Sequence, residues 1–233
     1  MGSLAFSAEE IHPSLWRASQ LACGRMRTVD TGYPALSAEL PGGGWPVGGL
    51  VDLLVESSGI GEMRLLRPAL STVGYRPIAL VQPPHTPSAQ GLRHIGVPPN
   101  RVLLARSSTL WCVEQILRAG CFGALIVWLR HVKASSLRRL HLAAQSSETL
   151  FVMVRPIYAT DDASPATLRL SVRPSPDGLM VDIVKRRGPV LAAPISIALQ
   201  PTPVLLSQRG RSVRSPHRVH LAEFTAELAG PLQ

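Results

Sequence analysis

Seven residues between an apolar run and a helical pattern carry the densest potential chemistry in the chain: Glu56-Ser57-Ser58-Gly59-Ile60-Gly61-Glu62. A strand, a small-residue loop and a helix in that order build a phosphate-binding loop, in which backbone N–H groups and the first helical turn cradle an anion. A working loop of the form G-x-x-x-x-G-K-[ST] also needs a lysine after its second glycine to reach the β/γ-phosphates, then a hydroxyl to hold magnesium. Those places are Ile60 and Gly61 here, and the first glycine is Leu54. Isoleucine cannot neutralise a triphosphate, and Glu62, expected at the mouth, would repel one. The loop reads as a vestigial scaffold with no catalytic residues, no metal and no cofactor.

The elements that must position this loop are legible as apolar runs. Leu50 to Val55 reads as a buried strand, and Met63, Leu65, Leu66 and Leu70 mark the helix after the loop. A second strand, Pro77 to Val81, ends in Gln82-Pro83-Pro84-His85, at the carboxyl strand end where α/β proteins place ligands. His85 beside two prolines reads as structural rather than catalytic. A short helix around Pro87 to Ile95 and a strand from Arg101 to Ala105 follow; Ser107-Ser108-Thr109 then offers caps for a helix over Leu110 to Ala119, with Glu114 expected exposed. Gly123 to Trp128 is apolar throughout, as in the buried strands of a parallel sheet. In a phosphate-loop enzyme an aspartate serving magnesium ends such a strand, and Trp128 stands there instead.

Arg130, His131 and Lys133 make a basic loop, and Ser136 to Gln145 reads as a helix presenting Arg138, Arg139 and His141 on a solvated face. Thr149 to Val154 is a further strand, and Pro156 to Pro165 an acidic loop expected to be mobile. Thr167 to Arg173 and Leu179 to Val184 alternate as a hairpin added to the parallel core, Lys185-Arg186-Arg187 follows at once, and Ile195 to Leu199 is a last strand. Ahead of the core, Ser7 to Met26 reads as an amphipathic helix, suited equally to core packing and to docking on a partner. Thr31 to Gly49 is rich in turn formers and reads as a loop.

These elements suit a first helix over residues 1–30, one α/β core domain over 31–200 and a basic tail over 201–233 that buries too little to fold alone. The net charge of +9 is carried almost wholly by arginine, since Lys133 and Lys185 are the lysines of the chain. Arginine favours phosphate and carboxylate partners, so DNA is the first partner to consider; a basic surface kept for solubility is the other reading. No acid interrupts Lys185 to Arg218, and Lys185, Arg186, Arg187, Arg209, Arg211, Arg214 and Arg218 are the candidate DNA-binding residues. Cys23, Cys112 and Cys121 lack the spacing of a metal site or disulfide framework. The acidic start of the chain is unlike a signal peptide, and a soluble, cytoplasmic protein is expected.

The order of elements resembles the ATPase core of the RecA recombinase superfamily: a mostly parallel sheet flanked by helices, a C-terminal antiparallel hairpin and a disordered basic tail. The stretch LPGGGWPVGGLVDLLVESSGIGE, from Leu40 to Glu62, is similar to the recombinase passage running from a glycine-rich turn into the first core strand and its Glu-Ser-Ser-Gly loop. On that alignment the water-activating glutamate falls on Pro84 and the magnesium aspartate on Trp128. Within the superfamily, HPSLWRASQLA, GIGEMRLLRPAL, LWCVEQILRAGCFGALIVW and LRRLHLAAQ resemble the ImuA family of translesion DNA synthesis-associated proteins, a group also likened to the SulA division inhibitors.

The resemblance implies a non-catalytic accessory factor of SOS-induced error-prone translesion synthesis, gathered at the nucleoid after DNA damage. Its implied partners are an ImuB-like inactive Y-family polymerase homologue and, through it, an error-prone replicative-type DNA polymerase; RecA is a further candidate partner. The alternatives are a SulA-like cell-division inhibitor, acting on the tubulin-like division protein, and a modulator of RecA filaments.

Overall fold

The computed structural model describes residues 27–106, 110–188 and 193–199. The expected helix at Ser7 to Met26, the caps at Ser107 to Thr109 and the tail from Pro201 lie outside the described residues. The chain opens with β1 (Thr28–Asp30), α1 (Pro34–Glu39), a 3-10 turn at Pro41–Gly43 and β2 (Gly44–Pro46). There follow β3 (Leu50–Val55), α2 (Glu62–Leu65), α3 (Arg67–Val73), β4 (Ile78–Val81), α4 (Ala89–His94) and β5 (Val102–Ala105). Next are α5 (Leu110–Ala119), β6 (Ala124–Trp128), α6 (Ala134–Gln145), β7 (Leu150–Pro156) and a 3-10 segment at Ile157–Asp161. β8 (Leu168–Ser175), β9 (Gly178–Lys185) and β10 (Ile195–Ala198) complete it.

Eight strands form the main sheet in the order β10-β9-β8-β3-β7-β6-β4-β5. Strands β3 to β8 pair in parallel, while β9 runs antiparallel to both β8 and β10. The mostly parallel sheet with a C-terminal antiparallel hairpin, expected from the sequence, is therefore present. Parallel strands need crossovers, and the helices these supply cover both faces.

Alternation along each strand sorts the core into two layers. Val51, Leu53 and Val55 of β3 join Val152 and Val154 of β7 beneath Leu36 of α1, Trp45, Leu65, Leu66, Leu70 and Leu92. On the other face Leu50, Phe151, Met153 and Val127 pack under Val113, Ile116 and Leu117 of α5 and Leu137, Leu140 and Ala144 of α6. Each buried aliphatic side chain contributes about 1.5–3 kcal/mol, so these layers dominate the fold's stability.

Three expectations are corrected here. Thr31 to Gly49 is not only loop: Pro34 starts α1 at a position where its missing N–H costs nothing, Leu36 is fully buried, and β1 pairs antiparallel with β2. Glu114 is not exposed. It is 6% exposed and holds Arg118 at 2.7 Å and Arg139 at 2.9 Å, fastening α5 to α6. The loop from Pro156 is not free either: its 3-10 segment is held by Arg169, which donates to the carbonyls of Ala159 and Thr160.

Candidate functional site

The carboxyl ends of β3, β4, β6 and β7 open into a cleft of about 890 Å³, bordered by Glu56, Ser57, Ser58, Gln82, His85, Trp128, Arg130 and Tyr158. The chain leaves β3 past β7 and β6 to reach β4, and a crevice at the carboxyl ends beside such a crossover is where open α/β sheets bind ligands.

At the head of this cleft the vestigial loop is already filled. Glu62 is 3% exposed, and its Oε1 accepts the N–H of Gly59 at 2.9 Å. Its Oε2 accepts the same N–H at 3.1 Å and that of Gly61 at 3.2 Å. The donors a phosphate would take are thus bound to a carboxylate of the chain itself. The geometry depends on glycine, because Gly59 has φ +90° and Gly61 φ +128°, and a Cβ on Gly61 would meet Leu199 Cδ1 at 3.0 Å. Glu62 was expected at the mouth; instead it turns inward and replaces the anion that it would there have repelled. Glu56, Ser57 and Ser58 remain exposed and Ile60 is half-buried against the core.

The positions aligned in the sequence with a magnesium aspartate and a water-activating glutamate carry no acid. Trp128 is 9% exposed at the end of β6, and its indole N–H has no acceptor among the described residues. Pro84 carries no acid, and His85 is an exposed residue of the cleft rim. Gln82 adopts φ +51°, uncommon for a side-chain-bearing residue and further disfavoured ahead of Pro83. Tyr158, which also lines the cleft, packs near His131, ring centroids 6.0 Å apart. Beyond Trp128 a smaller, mainly apolar pocket of about 270 Å³ lies between Met63, Leu80, Leu92 and the Pro83–Pro87 loop. Among the described residues no group of three or more His, Cys, Asp or Glu could hold a metal ion, and no helix is long and apolar enough to cross a membrane.

A buried charge network, absent from the sequence reading, anchors the cleft floor. Asp52 of β3 is fully buried and meets Arg169 Nε at 3.1 Å and Arg155 Nη1 at 3.4 Å. Arg155 also pairs with Asp162, so two arginines are matched by two aspartates. The network joins β3, β7, β8 and the 3-10 segment that carries Tyr158. Its sequence signal was Asp52 itself, a lone acid inside an otherwise apolar buried strand, which a cation must neutralise.

The structure separates the residues expected to bind DNA. Arg186 turns to Glu39, with Nη1 2.9 Å from its carboxylate, and its side chain is 12% exposed. Lys185 and Arg187 are exposed. A bulge between Arg169 and Leu170 sets Lys185 opposite Arg169, on the face that carries α6. There both cations approach His141, whose pKa is pushed below the usual histidine value first by burial and then by Lys185 and Arg187. His141 Nδ1 accepts the N–H of Leu50, so this pair lies at the amino-terminal end of β3, opposite the cleft. By contrast, Leu199, the last described residue before the tail, lies beside Gly61 at the carboxyl end. Arg209, Arg211, Arg214 and Arg218 lie outside the described residues.

No family model matches the chain. The cell division inhibitor SulA of Edwardsiella piscicida is 30% identical to it over 76 residues. That match takes in 31% of this chain and 45% of the relative, so the chain spans less than half the length of the curated relative it matches. The likeness is to part of a SulA protein and supports a SulA-like relationship.

Proposed function

We propose that this protein is a non-enzymatic accessory factor of the response to DNA damage, acting in error-prone translesion synthesis through protein and DNA contacts. The observation that carries the reading is the Glu62 carboxylate on the N–H groups of Gly59 and Gly61, because it spends on the chain itself the donors that ATP would need. Trp128 in place of a magnesium-binding acid supports it independently. A motor core without motor chemistry is useful for its surfaces. The translesion assignment rests on the phrases shared with the ImuA family, and it brings with it an ImuB-like polymerase homologue as the direct partner, at the nucleoid in the cytoplasm.

The similarity to a cell division inhibitor favours a second reading, in which the protein arrests division after damage. One experiment separates the two: delete the gene and score damage-induced mutation, then overexpress it and measure cell length. Loss of induced mutation with normal cell length supports the translesion reading. Filamentation with unchanged mutation frequency replaces it with the division-inhibitor reading.

A further inference from the structure

We propose that the core contacts the phosphodiester backbone of duplex DNA through a basic patch at the amino-terminal end of its sheet, formed by Arg138, His141, Lys185 and Arg187. The proposal deepens the function above and rests on its DNA-binding part.

Two elements build the patch. At about 100° per residue, Arg138, His141 and Gln145 fall on one flank of α6, while Arg139 falls on the other, where Glu114 of α5 holds it. The hydrogen bond from Leu50 N–H to His141 Nδ1 turns the first flank towards β3 and the hairpin beyond it. From the hairpin, the bulge at Arg169 presents Lys185 on this same face, and Arg187 follows two residues later. Both are near enough to make charging His141 harder. Arg138, Lys185 and Arg187 are exposed, and Lys185 Nζ donates to the Ser164 carbonyl at 2.9 Å.

Three acids near these elements in the chain are held by other cations. Glu148, just past α6, pairs with Arg27; Asp162 pairs with Arg155; Glu39 pairs with Arg186. What remains is concentrated positive charge, which attracts phosphates without reading bases. Duplex rather than single strand is favoured because, among the described residues, the exposed aromatics Tyr75, Trp111 and Tyr158 are not part of the patch, and single-strand sites use aromatic platforms for unstacked bases. The patch is also distinct from the cleft: Leu50 and Val55, at opposite ends of β3, are about 17 Å apart at ~3.3 Å per residue.

Anion binding here has a proton signature. The described groups facing His141 are the Leu50 N–H, Gln145, Lys185 and Arg187, with Arg138 one turn away on its own helix. A phosphate that neutralises the two cations makes the imidazolium easier to form, so binding takes up a proton.

The test is fluorescence anisotropy of a short fluorescein-labelled duplex with the full chain, across about 50–200 mM salt. Lys185→Ala with Arg187→Ala should weaken binding by about tenfold and lower the log–log salt slope by roughly two, near 0.9 per lost phosphate contact. Arg67→Ala with Arg93→Ala removes the same charge from the opposite face and should change affinity less than about twofold. His141→Gln should flatten the tightening seen as pH falls from about 8 to about 6. Far-ultraviolet circular dichroism and thermal melts establish that each variant is folded. Equal losses in both double variants, or none in the first, would overturn the patch while leaving DNA binding standing. A wild-type chain that binds no duplex at low salt would overturn the patch and the DNA part of the proposed function together.

Discussion

The carboxylate of Glu62 accepts the backbone N–H of Gly59 at 2.9 Å, and with that bond the loop after β3 supplies its own anion. A second carboxylate oxygen on Gly61 closes the other donor. Bonds of N–H groups to an ionised acceptor are roughly twice as strong as neutral ones, so the closure is also a structural asset.

Glu62→Ala should therefore destabilise the protein by about 1–3 kcal/mol, the cost of losing charge-assisted bonds whose donors then turn to water. Glu62→Gln keeps an acceptor and should lose about half as much. Urea denaturation followed by circular dichroism measures both, and equal stability of Glu62→Ala and wild type would mean the bonds contribute nothing.

Asp52 carries a heavier burden, since two arginine side chains with 0% and 7% exposure converge on it. Asp52→Asn leaves buried positive charge without its counter-ion and should cost about 3–5 kcal/mol. Hydrogen exchange should show the 3-10 segment at Ile157–Asp161 opening first, because Arg169 would no longer be fixed beneath its carbonyls.

His141 gives stability a pH dependence whose sign follows from its lowered pKa. In the unfolded chain its imidazole takes a proton near pH 6.5, whereas in the folded chain it resists until lower pH. The contribution is intact above about pH 6.5 and is lost as pH falls from there towards the folded pKa. Thermal melts between about pH 8 and pH 5 should show this decline in the wild type and a shallower one in His141→Gln.

Glu114 joins two helices through exposed arginines, which limits its worth. Glu114→Gln should cost about 1–2 kcal/mol, and faster amide exchange should be confined to α5 and α6. Uniform loosening of the sheet would contradict its placement as a local fastener.

What the sequence disclosed and what it hid follow one physical division. Leu50–Val55, Ala124–Trp128 and the Leu150 to Val154 part of β7 were legible because strands buried on both faces read as largely apolar runs, broken here only by Asp52. That Ile60 and Trp128 stand where a working phosphate loop would need a lysine and an aspartate was legible because it is a matter of residue type. The inward turn of Glu62 was not, since only the glycine φ angles decide where its carboxylate goes. Asp52 and Arg169 stand 117 positions apart, and only the β3–β8 pairing brings them together. The run Lys185-Arg186-Arg187 looked uniform in sequence, yet Arg186 pairs with Glu39 while its neighbours stay exposed.

We propose that the filled loop leaves this core without nucleotide chemistry. Isothermal titration of the wild-type chain with ATP and magnesium, with and without DNA, tests it most directly. No binding heat and no phosphate release are expected in either case. Stoichiometric, magnesium-dependent ATP binding would show that Glu62 yields its place to a phosphate, and would contradict it.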